Sequence, residues 1–299
     1  GIRDLVRSRG LGDVYKRQLF IFGLMVLIVA CSKKEIITPV SKEIIHFDEY
    51  HGQKVSDPFR WLENFTDDEV KEWVGLQNNY SQQFLKNRFQ KSIKQDLELI
   101  WTSEYLSTPF KVGEKIFYYF NTGKLEQNRL MIRDCESCPE RILIDPNDFS
   151  NDGTVSLASV SVSPNAEWIA FAKSDGGSDW RTWKIMNIAS GEILDDEIEW
   201  SKFSSAEWSP DSKGFFYRKY LKPDGEELLD LNSSPKLMFH SIGTDQINDQ
   251  IIIWDKNDPL LSRSIKVSDD GQYKILFTEK GTDERNLISI SRYLSLIHI

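Results

Sequence analysis

Cysteine and histidine are the residue types whose spacing suggests chemistry most directly in this sequence, and both are scarce. The chain has three cysteines and four histidines, so a zinc site is not expected on ligand supply alone. Cys135 and Cys138 form a CxxC pair between two strand-like stretches. A redox CxxC is typical of a helix start after a strand, so we predict a small structural disulfide or two inert thiols in a hairpin turn.

Composition and loop chemistry exclude several further classes of function. The net charge of −9 argues against a nucleic acid partner, because phosphate binding needs a basic face. Gly176 and Gly177 are flanked by Asp and Ser, but the helix and the Lys-Ser/Thr pair of a phosphate loop do not follow them. We therefore expect no metal, no cofactor and no nucleic acid.

An apolar run over residues 19–30 follows Lys16 and Arg17 and ends at Cys31. Its 12 residues are too few to span a bilayer comfortably, but they suit the core of a signal peptide. The small residue before Cys31 and the polar stretch after it resemble a bacterial lipobox. We predict a lipoprotein signal peptide at 19–31, a lipidated Cys31 and a polar tether at 32–45; a buried helix or a plain signal anchor is the alternative.

This prediction places the protein in the bacterial cell envelope, held to a lipid membrane through Cys31 on the periplasmic or extracellular face. The two ends of the sequence look foreign to the rest. Residues 1–18 carry no apolar periodicity and residues 293–299 carry no turn or cap, so both are expected to be artefactual, with a natural disordered leader as the alternative for 1–18.

Helical periodicity follows the tether, within a segment assigned to residues 46–106. Thr66–Glu69 is predicted to be a capping box with acidic residues in the first turn. Residues of one stripe then recur at helical spacing in each of two stretches: Val70, Trp73, Val74, Gln77, Tyr80 and Phe84 in the first, and Phe89, Ile93, Leu97 and Ile100 in the second. Two such helices bury little apolar surface by themselves, so another domain is expected to cover their apolar faces.

A strand–turn–strand unit recurs over residues 107–292. Its turns begin at Ser163, Ser209 and Ser268, at spacings of 46 and 59 residues. Each turn carries Pro, Asn, Asp or Gly, which favour tight reversals. One hairpin signal per period of about 40–50 residues is typical of a β-propeller blade. We predict a mainly β chain with about four propeller blades behind the helical segment.

Several short motifs stand out between about residue 44 and residue 292. The opening segment contains His51-Gly52 and residues 57–63, DPFRWLE. The predicted propeller contains residues 120–123 (FNTG), 143–147 (LIDPN), 177–180 (GSDW) and 243–246 (GTDQ). In this order, these motifs closely resemble the prolyl oligopeptidase family. The resemblance implies a seven-bladed propeller, present here in part, over an α/β-hydrolase domain on which the helical segment would pack.

For function, the resemblance implies a serine endopeptidase that cuts short peptides after proline, with the propeller as a size filter. A serine nucleophile, a histidine base and an orienting aspartate would act in acyl transfer. The sequence has no Gly-x-Ser-x-Gly nucleophile elbow, so we name no catalytic residue here. The chain is expected to be an N-terminal fragment that lacks the catalytic domain and is inactive alone.

One substrate-binding position carries over from the family. Phe203 matches a propeller phenylalanine that lines the substrate cavity, although an ordinary core aromatic is the alternative. Ser262 and Thr282 stand at two further substrate-contacting positions, but neither has the usual residue type. Two other functions stay open: a non-catalytic propeller lipoprotein that binds peptides or protein partners, and a family member that cuts after basic residues.

Overall fold

The computed structural model of the protein describes residues 38–86, 88–223 and 233–293. The predicted leader at 1–18, the signal peptide at 19–31 with Cys31, and residues 294–299 of the predicted tail lie outside these ranges. The chain divides into two units, Gly1–Glu98 and Leu99–Ile299. No helix in the described ranges has the length and apolar character needed to cross a membrane.

The first unit starts with a hairpin and continues into helices. Strands β1 (Phe47–Tyr50) and β2 (Gln53–Ser56) pair in antiparallel fashion. Their connecting residues His51 and Gly52 have φ values of 52° and 79°, which suit the two-residue turn that matches strand twist. A 3₁₀ turn (Arg60–Glu63) leads to helix α1 (Asp68–Leu85), and helix α2 spans Arg88–Trp101.

The start of α1 differs from the predicted capping box by one residue. Asp67, not Thr66, is the N-cap, and its carboxylate accepts a hydrogen bond from the Glu69 amide at 2.8 Å. The Thr66 hydroxyl instead donates to Asn64 Oδ1 at 2.7 Å. Because that hydroxyl is already used in the preceding turn, the carboxylate of Asp67 caps the helix, where the helix dipole also favours it.

One stripe of α1 contacts the chain segment that precedes β1 and the 3₁₀ turn that follows β2. The Trp73 indole donates to Ser41 Oγ at 3.0 Å, and its ring meets that of Trp61 edge to face at 6.5 Å. Gln77 Nε2 donates to the Pro39 carbonyl at 3.5 Å. The apolar side chains predicted on the second helix are exposed: Phe89, Ile93, Leu97 and Ile100.

The described residues of the second unit form four antiparallel sheets in chain order, which we call blades 1 to 4. Blade 1 has strands β3 (Tyr105–Leu106), β4 (Phe110–Val112), β5 (Lys115–Asn121), β6 (Arg129–Arg133) and β7 (Glu140–Ile144). Blade 2 has β8 (Ser156–Val162), β9 (Trp168–Ser174), β10 (Arg181–Asn187) and β11 (Ile193–Ser201). Blade 3 has β12 (Glu207–Trp208), β13 (Gly214–Lys219), β14 (Lys236–Ser241) and β15 (Gln250–Ile253), and blade 4 has β16 (Leu261–Val267), β17 (Tyr273–Lys280) and β18 (Leu287–Arg292).

The three turns singled out in the sequence share one hydrogen-bonding scheme. In each, the serine amide donates to the carbonyl five residues later, at 2.8–3.0 Å, for Ser163, Ser209 and Ser268. Each serine hydroxyl also contacts the Asn or Asp side chain two residues on, at 2.6–2.7 Å. The fourth residue has positive φ in all three turns: Ala166, Ser212 and Gly271. The repeat in sequence is therefore a repeat in backbone geometry.

The hydrophobic core lies between the blades. One cluster joins blades 1 and 2 around Phe117 and Phe171, a second joins blades 2 and 3 around Trp183 and Phe215, and a third joins blades 3 and 4 around residues including Ile265. Both faces of the inner blades are thus covered, which accounts for strands such as β13 that are buried along most of their length.

Candidate functional site

The crossing from blade 2 to blade 3 carries the predicted substrate residue. Phe203 lies between β11 and β12, with φ at 51° and 49% of its surface exposed. Trp200, three residues earlier, also has a positive φ of 58°. Bulky side chains rarely adopt this left-handed conformation, which costs about 1–3 kcal/mol and persists only where neighbouring contacts impose it.

Contacts on both sides of Phe203 impose that conformation. Arg181 Nη1 donates to the Ser204 carbonyl at 2.8 Å, and the Ser204 hydroxyl accepts from the Arg218 amide at 2.8 Å. On the other side, the Lys202 side chain is buried, with its Nζ 3.7 Å from the centre of the Trp180 ring. Residues on either side of Phe203 are therefore fixed, while its own ring stays half-exposed.

Phe203 lies on the wall of a cavity of about 290 Å³ between blades 3 and 4. Four charged residues also line this cavity: Glu207, Arg218, Arg263 and Glu279. The cavity therefore combines an apolar ring with a few polar groups, as ligand-binding pockets usually do.

The two other positions suggested by the resemblance are not in the wall of this cavity. Ser262 is the second residue of β16 and pairs with Glu279 of β17. Its hydroxyl is buried and has no hydrogen-bond partner among the described residues. Thr282 is exposed in the turn after β17. Only Phe203 of the three lines the cavity.

A larger cavity, of about 590 Å³, lies at blade 1, but its amide side chains are less available to a ligand. Its amide side chains are occupied within the blade: Asn121 Oδ1 accepts from the Gly123 amide at 2.8 Å, and Asn121 Nδ2 donates to Asn128 Oδ1 at 3.1 Å. Gln127 Nε2 donates to the Val155 carbonyl at 2.7 Å. These groups hold loops together, so we locate the candidate site at Phe203 despite the smaller volume.

A buried polar network joins blades 2 and 3. The ring of His240 is fully buried, with Nδ1 2.7 Å from Asp249 Oδ1 and Nε2 2.9 Å from Asp196 Oδ2. The Tyr217 hydroxyl donates to Asp249 Oδ2 at 2.6 Å. This histidine and its two carboxylates resemble part of a catalytic triad in composition, but the ring is closed off from solvent.

Protonation in this network is set by competing effects. Burial lowers the pKa of His240, but its hydrogen bonds to Asp249 and Asp196 raise that pKa by more, so the net shift is upward. Burial, with the nearby Asp249 carboxylate, raises the pKa of Tyr217 well above its ordinary value. His240 and its two carboxylates therefore link blades 2 and 3 through buried hydrogen bonds.

The CxxC pair is a disulfide in the turn between β6 and β7. Cys135 and Cys138 are bonded, with their Cα atoms 5.0 Å apart. Of the two outcomes predicted from the sequence, the structure shows the disulfide. No group of three or more His, Cys, Asp or Glu side chains in the described ranges is placed to hold a metal ion.

Sequence reasoning missed the charged residues of the cavity and the partners of His240. Arg218 directly follows the aromatic strand residues Phe215–Tyr217. A charged residue at that point in a strand is the signal that could have marked Arg218 as a candidate. Asp196 and His240 are 44 residues apart, so their contact depends on how two blades stack. No local pattern marks such a pair.

Comparisons with known proteins agree with this architecture. A sequence profile described as "Prolyl oligopeptidase, N-terminal beta-propeller domain" matches residues 39–293. The prolyl endopeptidase of Elizabethkingia miricola is 36% identical over 251 residues, covering 83% of this chain and 35% of that protein. Prolyl oligopeptidase A of Amanita bisporigera is 29% identical over 285 residues, covering 85% of this chain and 37% of that protein.

Solved structures give the same result. A prolyl endopeptidase structure superposes with a TM-score of 0.77 at 29% identity, over 87% of this chain and 38% of that one. Prolyl oligopeptidase B from Galerina marginata, bound to a 35mer hydrolysis and macrocyclization substrate, gives a TM-score of 0.73 at 26% identity, over 86% and 39%. This chain thus spans little more than a third of the relatives it matches. It belongs to the prolyl oligopeptidase family, and residues 39–293 correspond to that family's N-terminal β-propeller domain.

Proposed function

We propose that the protein containing this chain is a serine peptidase that hydrolyses short peptides on the carboxyl side of proline. The observation that carries the proposal is the family match over residues 39–293, together with 36% identity to a prolyl endopeptidase. This chain supplies the helical segment and propeller blades. The nucleophile, base and orienting acid belong to the α/β-hydrolase domain that the resemblance implies.

Phe203 is the substrate contact in this proposal. Support comes from its half-exposed ring, its strained backbone and its place on a cavity wall between blades 3 and 4. Strained residues persist where the surrounding structure holds them, and they cluster at ligand-binding sites. Phe203 thus offers an apolar face to a bound peptide, while the propeller limits the size of peptide that reaches the catalytic groups.

Steady-state kinetics of the full-length protein test this role. Phe203→Ala is expected to raise KM for a short proline reporter peptide about tenfold, because one aromatic contact of about 1.4 kcal/mol is lost. Tyr273→Ala is the matched control, since Tyr273 is a partly exposed aromatic at the turn end of blade 4. Equal kinetic effects of the two substitutions would rule out a specific contact at Phe203. Specific peptide binding without hydrolysis would favour the non-catalytic propeller lipoprotein.

We also infer that the protein is a lipid-anchored component of the bacterial cell envelope, facing the periplasm or the exterior. The inference depends on the sequence around Cys31, where a basic flank, an apolar run and a small residue precede the cysteine. Cys31→Ser is expected to move the full-length protein from the membrane fraction to the soluble fraction and to abolish incorporation of labelled fatty acid. Unchanged fractionation and no label in the unsubstituted protein would reject the anchor.

A further inference from the structure

Arg218 is the least exposed of the four charged residues that line the Phe203 cavity. Its side chain is 9% exposed, whereas that of Glu279 across the cavity is 42% exposed. A buried guanidinium has lost most of its hydration, so protein or ligand oxygens must replace the water. The hydrogen bonds that Arg218 makes therefore indicate what the cavity is built to bind.

The contacts made by the Arg218 guanidinium are long. Its Nε donates to the Arg263 carbonyl at 3.4 Å, and its Nη2 lies 3.7 Å from Glu279 Oε2. Charge-assisted hydrogen bonds between arginine and carboxylate are usually about 2.7–2.9 Å and often bidentate. Arg218 therefore holds its acidic neighbour loosely, although its planar fork suits a carboxylate at close range.

Of the remaining charges around the cavity, Glu207 has two close partners and Arg263 is paired with a carboxylate outside the cavity wall. Glu207 accepts from Lys266 Nζ at 2.8 Å and from the Val267 amide at 2.7 Å. Arg263 lies 3.5 Å from Asp255, which is outside the cavity wall. An incoming anion would therefore meet Arg218 with Glu279 as its main competitor, and Glu279 is exposed enough to turn into water when it is displaced.

From this arrangement we propose that the cavity binds a carboxylate of the peptide, with Arg218 as the recognising group and Phe203 as the apolar wall beside it. The carboxylate replaces Glu279, exchanging a long contact for a short bidentate pair with Arg218. The ligand class is thus a peptide carrying an acidic side chain or a free terminal carboxylate. This inference deepens the proposed function and rests on it for the role of the peptide as substrate.

Binding and kinetics with three matched peptides test the inference in the full-length protein. The first peptide has a glutamate before its proline and a C-terminal amide, the second has glutamine instead, and the third is the glutamine peptide with a free C-terminal carboxylate. Fluorescence anisotropy gives Kd for each labelled peptide, and hydrolysis gives KM. A carboxylate-bearing peptide is expected to bind about tenfold more tightly than the neutral peptide, and the two acidic peptides distinguish the source of the carboxylate.

Two substitutions make the assignment specific. Arg218→Gln is expected to bring the ratio of the affinities for acidic and neutral peptides to about one. Glu279→Gln is expected to increase this ratio severalfold, because the competing carboxylate is gone. A misfolded variant would not bind acidic peptides more tightly. The increase expected for Glu279→Gln therefore cannot be explained by structural damage. Lys274→Gln, which removes one positive charge on β17 outside the cavity wall, is the charge-matched control and should leave the ratio unchanged.

The possible results separate the two proposals. Wild-type protein that binds all three peptides equally, or a Glu279→Gln variant that loses discrimination, would overturn the carboxylate site even if cleavage after proline is observed. Carboxylate discrimination in Kd without any cleavage would support the site and reject the proposed peptidase function.

Discussion

The ring of His240 in blade 3 lies 2.9 Å from the carboxylate of Asp196 in blade 2, with both side chains buried. Asp249 contacts the other ring nitrogen at 2.7 Å, and the Gly243 amide donates to Asp196 at 2.7 Å. The ring donates to both carboxylates only when each of its nitrogens carries a proton. The connection between these blades therefore depends on a group that can titrate.

Stability of the propeller is expected to fall as pH rises above neutral. Because the pKa of His240 is raised in the folded state, the folded protein holds a proton that the unfolded protein releases. The proton on His240 stabilises the folded protein fully below the unfolded pKa of about 6.5. This stabilisation is lost as pH rises through the folded pKa, and the free energy of unfolding then falls by at most about 1.4 kcal/mol per pH unit. Denaturant unfolding between pH 6 and 9 measures this slope.

Removal of the imidazole should abolish the pH dependence and weaken the fold. His240→Ala leaves Asp196 and Asp249 buried without their shared partner, at a cost of about 3–5 kcal/mol. His46→Gln is the control, since the His46 side chain is exposed and its Nε2 lies 3.2 Å from Asp48 Oδ1. A His240→Ala protein that keeps the wild-type slope would show that another group is responsible.

The Cys135–Cys138 disulfide is expected to add little stability. It closes a loop with a sequence separation of 3, so the chain-entropy effect is only about 2 kcal/mol. The Cys135→Ser/Cys138→Ser protein should unfold at a slightly lower denaturant concentration than the oxidised wild type. Adding a reductant should shift the wild type to the same midpoint and leave the variant unchanged; a wild type that ignores reductant would contradict the prediction.

Gly214 should tolerate no larger residue. A Cβ atom there would overlap the His240 carbonyl oxygen and come within 2.7 Å of the Phe239 ring. Gly214→Ala is expected to cost about 3 kcal/mol, because neighbouring strands must move apart. Gly191→Ala, in an open turn with φ at 75°, should cost only about 1 kcal/mol, through its backbone conformation. Equal losses measured by thermal unfolding would refute the steric explanation.

The left-handed backbone at Phe203 predicts an inverted order of stability between two variants. Both Phe203→Ala and Phe203→Gly lose the ring, but only glycine adopts φ near 51° without strain, so Phe203→Gly should be more stable by about 1 kcal/mol. At Ile193, an exposed position at the start of β11, alanine should instead be more stable than glycine. The same order at both positions would contradict a strained Phe203.

Local signals in the sequence were sufficient to predict the propeller blades. The serine turns specify their own hydrogen bonds through Pro, Asn, Asp and Gly within six residues, and this accounts for the successful prediction of a partial propeller. The prediction for α1 was off by one residue at its cap, because the Thr66 hydroxyl bonds to Asn64. Such competition between neighbouring acceptors is not visible in a spacing pattern.

The site was predictable only in part. The family resemblance pointed to Phe203, whose role as a substrate contact stays a prediction, and the structure adds the cavity beside it. Arg218 and Glu279 are 61 residues apart and meet across two blades. Contacts of this kind depend on blade stacking, which one sequence does not encode in any local pattern.

Mapping of cleaved bonds tests the central claim most directly. The purified full-length protein is incubated with a mixture of peptides of different lengths and with one folded protein, and the products are sequenced by mass spectrometry. We expect cuts in short peptides only, each on the carboxyl side of proline, and an intact folded protein. Cuts that follow lysine or arginine, or no cuts at all, would contradict the proposed function.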